Sequence, residues 1–447
     1  MRLLDMIKAA GIVGCGGAGF PTHVKLNGTF EYLIINGAEC EPLLRNDRYL
    51  MRNHADEIVA ATAAIADELS IPHAVIALKG HYHDEVQALK AAVEKNGAKV
   101  DVFELESFYP AGDEQTIVYE VTGRVVPPAG LPSQVGAVVN NAATVYAIYQ
   151  AMSGIPLTRK YMTVTGEVGR PVILNVPVGT PLSYCIEQAG GSKLDDYVVV
   201  TGGPMMGKLV KKQDVNTAVV TKTTSGILVL PSDGYHASSA AMDTRRMLIQ
   251  ARAACIQCSY CTQMCPRHML GHPIEPHRIM RKMAVSIDTG SMLDDSIIRS
   301  AQLCCECGIC ETYACPMGLK PRKINAMLKR ELGAAGIRYQ RTDEQYSPNP
   351  MRDYRKAPTE KVAYRAGVHK YYNYEISDLI TAEPDRVDVP LSMHIGAPAQ
   401  AVVAVGDRVQ VGDVIALIPQ DKLGACIHAS ISGRVTAIGD RVTIVKE

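Results

Sequence analysis

Residues 255–266 read Cys255-Ile256-Gln257-Cys258-Ser259-Tyr260-Cys261-Thr262-Gln263-Met264-Cys265-Pro266. The spacing, C-x2-C-x2-C-x3-C-P, is that of bacterial ferredoxins holding [4Fe–4S] clusters. A second run, Cys304-Cys305-Glu306-Cys307-Gly308-Ile309-Cys310-Glu311-Thr312-Tyr313-Ala314-Cys315-Pro316, keeps the triplet and delays the last cysteine by one residue. A cube of iron and sulfide needs four converging thiolates. One tight C-x2-C-x2-C loop supplies three, and where two clusters share a fold the fourth comes from the partner motif. The proline ends each loop and fixes its outgoing direction. This pairs Cys255, Cys258 and Cys261 with Cys315, and Cys304, Cys307 and Cys310 with Cys265, and predicts two [4Fe–4S] clusters. Structural zinc is the alternative, but it favours separated C-x2-C pairs over two triplets. Disulfides belong to small secreted scaffolds. Cys305 is surplus, because using it in place of Cys304 breaks the x2 spacing.

Composition narrows the class. A chain of 447 residues predicts about two to four domains, and its 47% apolar content suffices for ordinary cores. Lysine plus arginine equals aspartate plus glutamate, 46 each, which argues against nucleic acid or an anionic membrane as main partner. No run of about 18 apolar residues predicts a transmembrane helix. Met1-Arg-Leu-Leu-Asp5 is charged too early for a signal peptide. Thirteen cysteines, most of them in the cluster motifs, imply a reducing cytoplasm.

Upstream, residues 1–10 read as a short amphipathic helix. Gly11-Ile-Val-Gly14-Cys15-Gly16-Gly17-Ala18-Gly19-Phe20-Pro21 follows. It contains G-x-G-x-x-G, yet no strand precedes it and Pro21 stands where a helix should be running, so a Rossmann turn is disfavoured. Bare backbone N–H groups in such a loop suit a phosphate or planar cofactor; a plain flexible loop is the bland alternative. Strands at 31–36, 73–78 and 98–103 alternate with helices at 46–69 and 82–95, which predicts an α/β layer with parallel strands. Helices are expected at 113–122 and 142–152. A small α+β module begins near 160, and residues 243–335 read as helical around the cysteine loops. Residues 338–385 are polar and poorly periodic, a linker or wrapping segment. From 388, short β runs between Gly-Asp turns predict a small sandwich or barrel.

Together these motifs resemble a family. Gly14-Cys-Gly-Gly-Ala-Gly-Phe-Pro-Thr22 with Lys25, Asn36-Gly-Ala-Glu-Cys-Glu-Pro42, Asp47-Arg48, Tyr109-Pro-Ala-Gly-Asp-Glu114 and Asn140-Asn141 resemble the flavin site of the NADH-binding flavoprotein of complex I and, more closely, the RnfC component of the Rnf complex. Residues 158–215 resemble the β-grasp SLBB module. Residues 388–447 resemble the barrel-sandwich domain that the Rnf protein has at its N-terminus. The order found here is similar to that of the cobalamin (corrin) reductases of propanediol-utilisation microcompartments. The resemblance implies a multidomain α/β and α+β fold: a Rossmann-like FMN/NADH-binding α/β domain (1–155), an SLBB β-grasp domain (156–235), an α-helical di-cluster ferredoxin domain (240–337), a linker (338–387) and a barrel-sandwich hybrid domain (388–447). It implies FMN cradled by Gly14, Gly16, Gly17 and Gly19, with Lys25 facing the phosphate. Asn36, Glu39, Glu41, Glu114, Asn140 and Asn141 would hold ribityl or ring edges, and Phe20 is the nearest aromatic for NADH. Cys15 departs from the complex I flavoproteins, which have an arginine there. His23 and Cys40 read as structural neighbours. The turn around Cys426 and His428 lacks the lysine of a biotin or lipoyl carrier and reads as an interaction module.

What the resemblance implies is an NADH-dependent oxidoreductase. Hydride pairs from NADH would enter through FMN and leave as single electrons through the clusters. The acceptor would be cob(III)/cob(II)alamin, feeding an adenosyltransferase, with shell proteins as candidate partners in or on a microcompartment. Two readings compete: an Rnf-like soluble module exchanging electrons between NADH and ferredoxin or flavodoxin, and a non-catalytic electron wire or scaffold.

Overall fold

The structure, a computed structural model, describes residues 2–285, 292–342 and 345–447. Parts of two expected segments, 286–291 in the cluster region and 343–344 in the linker, lie outside the described residues.

Four parallel strands, β1 (Tyr32–Asn36), β2 (His73–Lys79), β3 (Asp101–Leu105) and β4 (Ala137–Asn141), form a sheet in the order β3-β2-β1-β4. Leu33, Ile34 and Ile35 are fully buried, as a strand covered by helices on both faces requires. After β1 the chain adds strands on one side and then returns with β4 on the other. Ligands of open α/β sheets bind at such a reversal, beyond the carboxyl ends of the strands. Asn36 and Asn141 are register partners there, so the two asparagine motifs arrive at one edge.

The helix expected over 46–69 is two helices, Asn46–Asn53 and Ala55–Glu68. The break is His54 (φ −131°). Its ring packs on Tyr146 at 4.6 Å and its Nδ1 meets Glu57 Oε1 at 3.1 Å, contacts that a continuous helix would not allow. The strand expected at 98–103 starts only at Asp101.

A second sheet contains β5 (Arg159–Gly166), β6 (Val172–Pro177), β7 (Tyr197–Thr201), β8 (Lys208–Lys211), β9 (Gly226–Pro231) and β10 (Leu379–Thr381), in the order β10-β6-β5-β9-β7-β8. β10 comes from the segment expected as a linker or wrapping segment. That segment also buries Val362, Ala363, Ala366, Val368 and Tyr371 in a core shared with Leu43, Tyr109, Met205 and Ile309. Its sequence is aperiodic because it completes other units and builds no core of its own. The strands between Arg386 and Val445 form antiparallel sheets of four and three. The turn at 424–433 is docked rather than free. Cys426 Sγ donates to Lys8 O at 3.1 Å, and the buried Lys222 ammonium donates to Gly11 O at 2.7 Å and to Cys426 O at 2.8 Å. One side chain thereby ties three parts of the chain, and burial lowers its pKa to about 8. No helix among the described residues is long and apolar enough to cross a membrane.

Candidate functional site

The glycine loop closes where Val13 bridges Pro21 and Gly14 N–H donates to Phe20 O at 2.9 Å. Cys15 turns inward: it is buried, and its N–H donates to Thr144 Oγ1 at 2.9 Å. No side chain at this position therefore reaches toward a ligand. Gly16 lies against Asn141, whose side-chain carbons would stand 3.1 Å from a Cβ. Gly19 (φ +69°) serves a different contact. A Cβ there would stand 3.1 Å from Met393 O, and its own carbonyl accepts from Ile395 N–H at 3.0 Å. It seats the C-terminal domain.

Next to this loop lies a cavity of about 440 Å³. Of the expected flavin residues, Gly16, Asn36, Glu39, Glu41, Glu114 and Asn141 line it, and Gly14, Gly17, Gly19, Phe20, Lys25 and Asn140 do not. Lys25 is one contact away, with Nζ 2.6 Å from Glu114 Oε1. Asn140 is buried, and its Nδ2 has no partner among the described residues. Sequence reasoning missed three further wall residues: Asp113, Arg267 and Cys305. Asp113 and Arg267 form an ion pair at 2.9 Å between the α/β sheet domain and the cysteine region, each about nine-tenths buried. The available signal was position, since Arg267 directly follows the C-P pair of the first motif.

Carboxylates dominate the electrostatics. Glu39 accepts from the N–H groups of Asp47 (2.8 Å) and Arg48 (3.3 Å) at the start of the helix Asn46–Asn53. Burial and the nearby Asp47 nevertheless raise its pKa. Asn141 Nδ2 donates to Asp47 Oδ2 at 2.5 Å. Glu41 accepts from Met205 N–H (2.9 Å) and Met206 N–H (2.8 Å), and burial outweighs these bonds, raising its pKa to about 7. A carboxyl whose folded pKa is raised contributes stability that is full below its unfolded value, near 4.5, and lost as pH rises through about 7. The cofactor-free protein should therefore have a lower unfolding midpoint at pH 8 than at pH 5, and Glu41→Gln should reduce that fall. A pH slope unchanged in the variant would refute this assignment.

The two cysteine loops have the same backbone. Gln257 (φ 55°) and Ser259 (φ 58°) flank Cys258 in left-handed conformations, and Glu306 (φ 59°) and Gly308 (φ 81°) flank Cys307 in the same way. This register matches Cys304, not Cys305, to Cys255. A polar group two residues on from each donates to its sulfur, Gln257 Nε2 to Cys255 Sγ at 3.0 Å and Glu306 N–H to Cys304 Sγ at 3.3 Å. The extra residue before Cys315 is also accounted for. Cys261 begins its run to Cys265 within an α-turn, Tyr260–Gln263, whereas Cys310–Ala314 is a π-helical turn. A π-turn absorbs one inserted residue, so the fourth cysteine still leaves its loop in the equivalent place.

Cys255, Cys258, Cys261 and Cys315 line one small cavity. Cys265 lies near Cys304 and Cys305, and Cys310 near Cys304 and Cys265. Burial and neighbouring thiols raise the pKa of Cys261 to about 12, and iron would reverse that shift, because a coordinated thiol gives up its proton. Among the described residues no three Cys, His, Asp or Glu side chains converge tightly enough for one metal ion. A cluster, larger than an ion, suits ligands set around a cavity. The residues present thus fit a flavin beside Gly16 and Asn141 and iron–sulfur clusters in the cysteine loops. Cys305→Ser should leave iron content unchanged while Cys304→Ser lowers it. Iron analysis showing the reverse would mean that the register is misread.

The fold and site define a multidomain flavin and iron–sulfur oxidoreductase. Residues 7–150 match the Nuo51 FMN-binding domain, 161–209 the SLBB domain, 254–320 the 4Fe-4S dicluster domain and 362–447 the RnfC barrel sandwich hybrid domain. The chain is 40% identical to the cobalamin reductase PduS of Salmonella typhimurium, covering 100% of this chain and 96% of that one. It is 38% identical to the PduS of Citrobacter freundii over 99% of this chain and 96% of that one. It is 35% identical to the RnfC-type component of the Na(+)-translocating ferredoxin:NAD(+) oxidoreductase complex of Acetobacterium woodii, over 59% of this chain and 57% of that one. The chain belongs to the cobalamin reductase PduS family.

Proposed function

We propose that the chain moves electrons from NADH, through FMN and two [4Fe–4S] clusters, to cob(III)alamin or cob(II)alamin, and so reactivates a corrin cofactor in a bacterial microcompartment of the cytoplasm. The observation that carries this reading is that one cavity is walled both by flavin-motif residues and by Cys305 and Cys307. The overall reaction balances as NADH plus two one-electron acceptors giving NAD+, one proton and two reduced acceptors. Bound FMN would supply the exchange between a hydride pair and single electrons, and the clusters would supply one-electron carriers. The chain's own residues bind and orient. Asn141 and Gly16 shape the wall, Asn36 is held by donating to Gly112 O at 2.8 Å, and Lys25 is within reach of Glu114 at the cavity. Glu39 and Glu41, whose pKa values are raised, are placed to take up the proton released when hydride is split into electrons. An adenosyltransferase would take the reduced corrin, and shell proteins would hold the enzyme in place.

The test compares acceptors. Reconstituted protein supplied with NADH should reduce cob(III)alamin in preference to ferredoxin or flavodoxin. Preference for ferredoxin would favour the Rnf-like reading, and no diaphorase activity with FMN bound would favour a non-catalytic scaffold.

A further inference from the structure

The cysteine loops are not equivalent with respect to the flavin cavity. Its wall includes Cys305 and Cys307 of the second loop and no cysteine of the first. Tyr109, fully buried, lines the same cavity and donates its hydroxyl to Cys307 O at 2.6 Å. Cys265, Cys307 and Cys310 are buried, whereas Cys258 is exposed. The cavity lined by Cys255, Cys258, Cys261 and Cys315 contains no flavin-motif residue. Around it Ile256, Tyr260 and Met317 are exposed. The two groups adjoin, because one helical turn carries Cys261 of the first to Cys265 of the second, and the π-turn carries Cys310 back to Cys315.

From this placement we infer that electrons run against chain order: the group Cys304, Cys307, Cys310 and Cys265 receives them from the flavin, and the group Cys255, Cys258, Cys261 and Cys315 delivers them at the surface. The inference rests on the proposed function above. Each electron enters beside Tyr109, crosses between the groups and leaves past Cys258, and the net change at each group over a full turnover is zero. Tyr109 is a positioning residue, fixing the backbone of Cys307 against the cavity wall.

The test uses the full reconstituted chain, with iron content and the EPR signal of reduced clusters read after mixing with NADH or with dithionite. Cys258→Ser should lose one cluster, and NADH should still reduce the remaining one at the wild-type rate while reduction of an external acceptor is lost. Cys307→Ser should also lose one cluster, and dithionite should reduce the remaining one while reduction by NADH is lost. The opposite pattern, or prompt NADH reduction of the cluster left in Cys307→Ser, overturns the inference alone. Wild-type protein that binds no flavin overturns the proposed function and the inference with it. If either variant fails to fold, Cys315→Ser and Cys265→Ser put the same question to the same two groups with the same expected outcomes. Tyr109→Phe keeps every ligand and should shift the reduction potential of the cluster that Cys307→Ser removes, and not the other. A shift in the other cluster contradicts the order.

Discussion

Gly16→Val is expected to empty the chain of flavin and leave its iron in place. A Cβ at this position would stand 3.1 Å from the side-chain carbons of Asn141, closer than the van der Waals contact of about 3.5–4.0 Å, and valine adds two methyl groups beyond it. Asn141 cannot give way cheaply. It is the N-cap of the helix Ala142–Met152, its Oδ1 accepting from Ala143 N–H, and it also donates to Asp47. The loop must shift instead. Overpacking of this kind costs roughly 1–3 kcal/mol, a loss of about ten- to a hundredfold or more in affinity. The cysteine loops have their own apolar core, containing Leu248, Ile279, Leu303 and Ile324, so the clusters should survive. The variant should stay brown and be reducible by dithionite, with reduction by NADH abolished. Flavin and iron assays on the same sample check this, and retention of both flavin and NADH activity would remove the glycine loop from the site.

Arg267→Met is expected to cost more than any other single change at the contact between the cluster region and the flavin domain. Its partner Asp113 is about nine-tenths buried and caps the helix Glu114–Thr122 by accepting from Thr116 N–H at 3.2 Å. Removing one member of a buried pair leaves the other charge unpaired, a loss of about 3–5 kcal/mol. Adding Asp113→Asn removes that charge, and asparagine caps a helix as well as aspartate does, so the double variant should recover much of the loss. Denaturant midpoints of the three proteins test this. Equal midpoints for the single variant and the wild type would mean that the pair does not join the two parts.

Much of this architecture is legible in the residues. The apolar run of β1, the asparagine pair ending β4 and the cysteine triplets each carry a local pattern, and local patterns survive folding. Other features have no such pattern. The break at His54 comes from Tyr146 and Tyr161, which are distant in sequence. The delayed Cys315 is visible as an insertion, but only the backbone shows it taken up in a π-turn. The segment 338–387 looks disordered in composition because its apolar residues complete cores begun elsewhere. The glycine loop is legible as a loop, yet the division of labour between Gly16, at the cavity, and Gly19, against Met393, depends on a domain almost 400 residues away in the chain. Arg267 and Cys305 are legible only as neighbours of cluster ligands, and their place on the flavin cavity is a tertiary fact.

The decisive experiment is anaerobic reconstitution followed by NADH addition, with flavin, iron and sulfide counted and cob(III)alamin supplied as acceptor. One FMN, about eight iron and about eight sulfide per chain are expected, together with NADH-dependent reduction of the corrin in single-electron steps. Protein that holds tightly bound zinc in place of iron, or that binds FMN which NADH does not reduce, would contradict the proposed electron path.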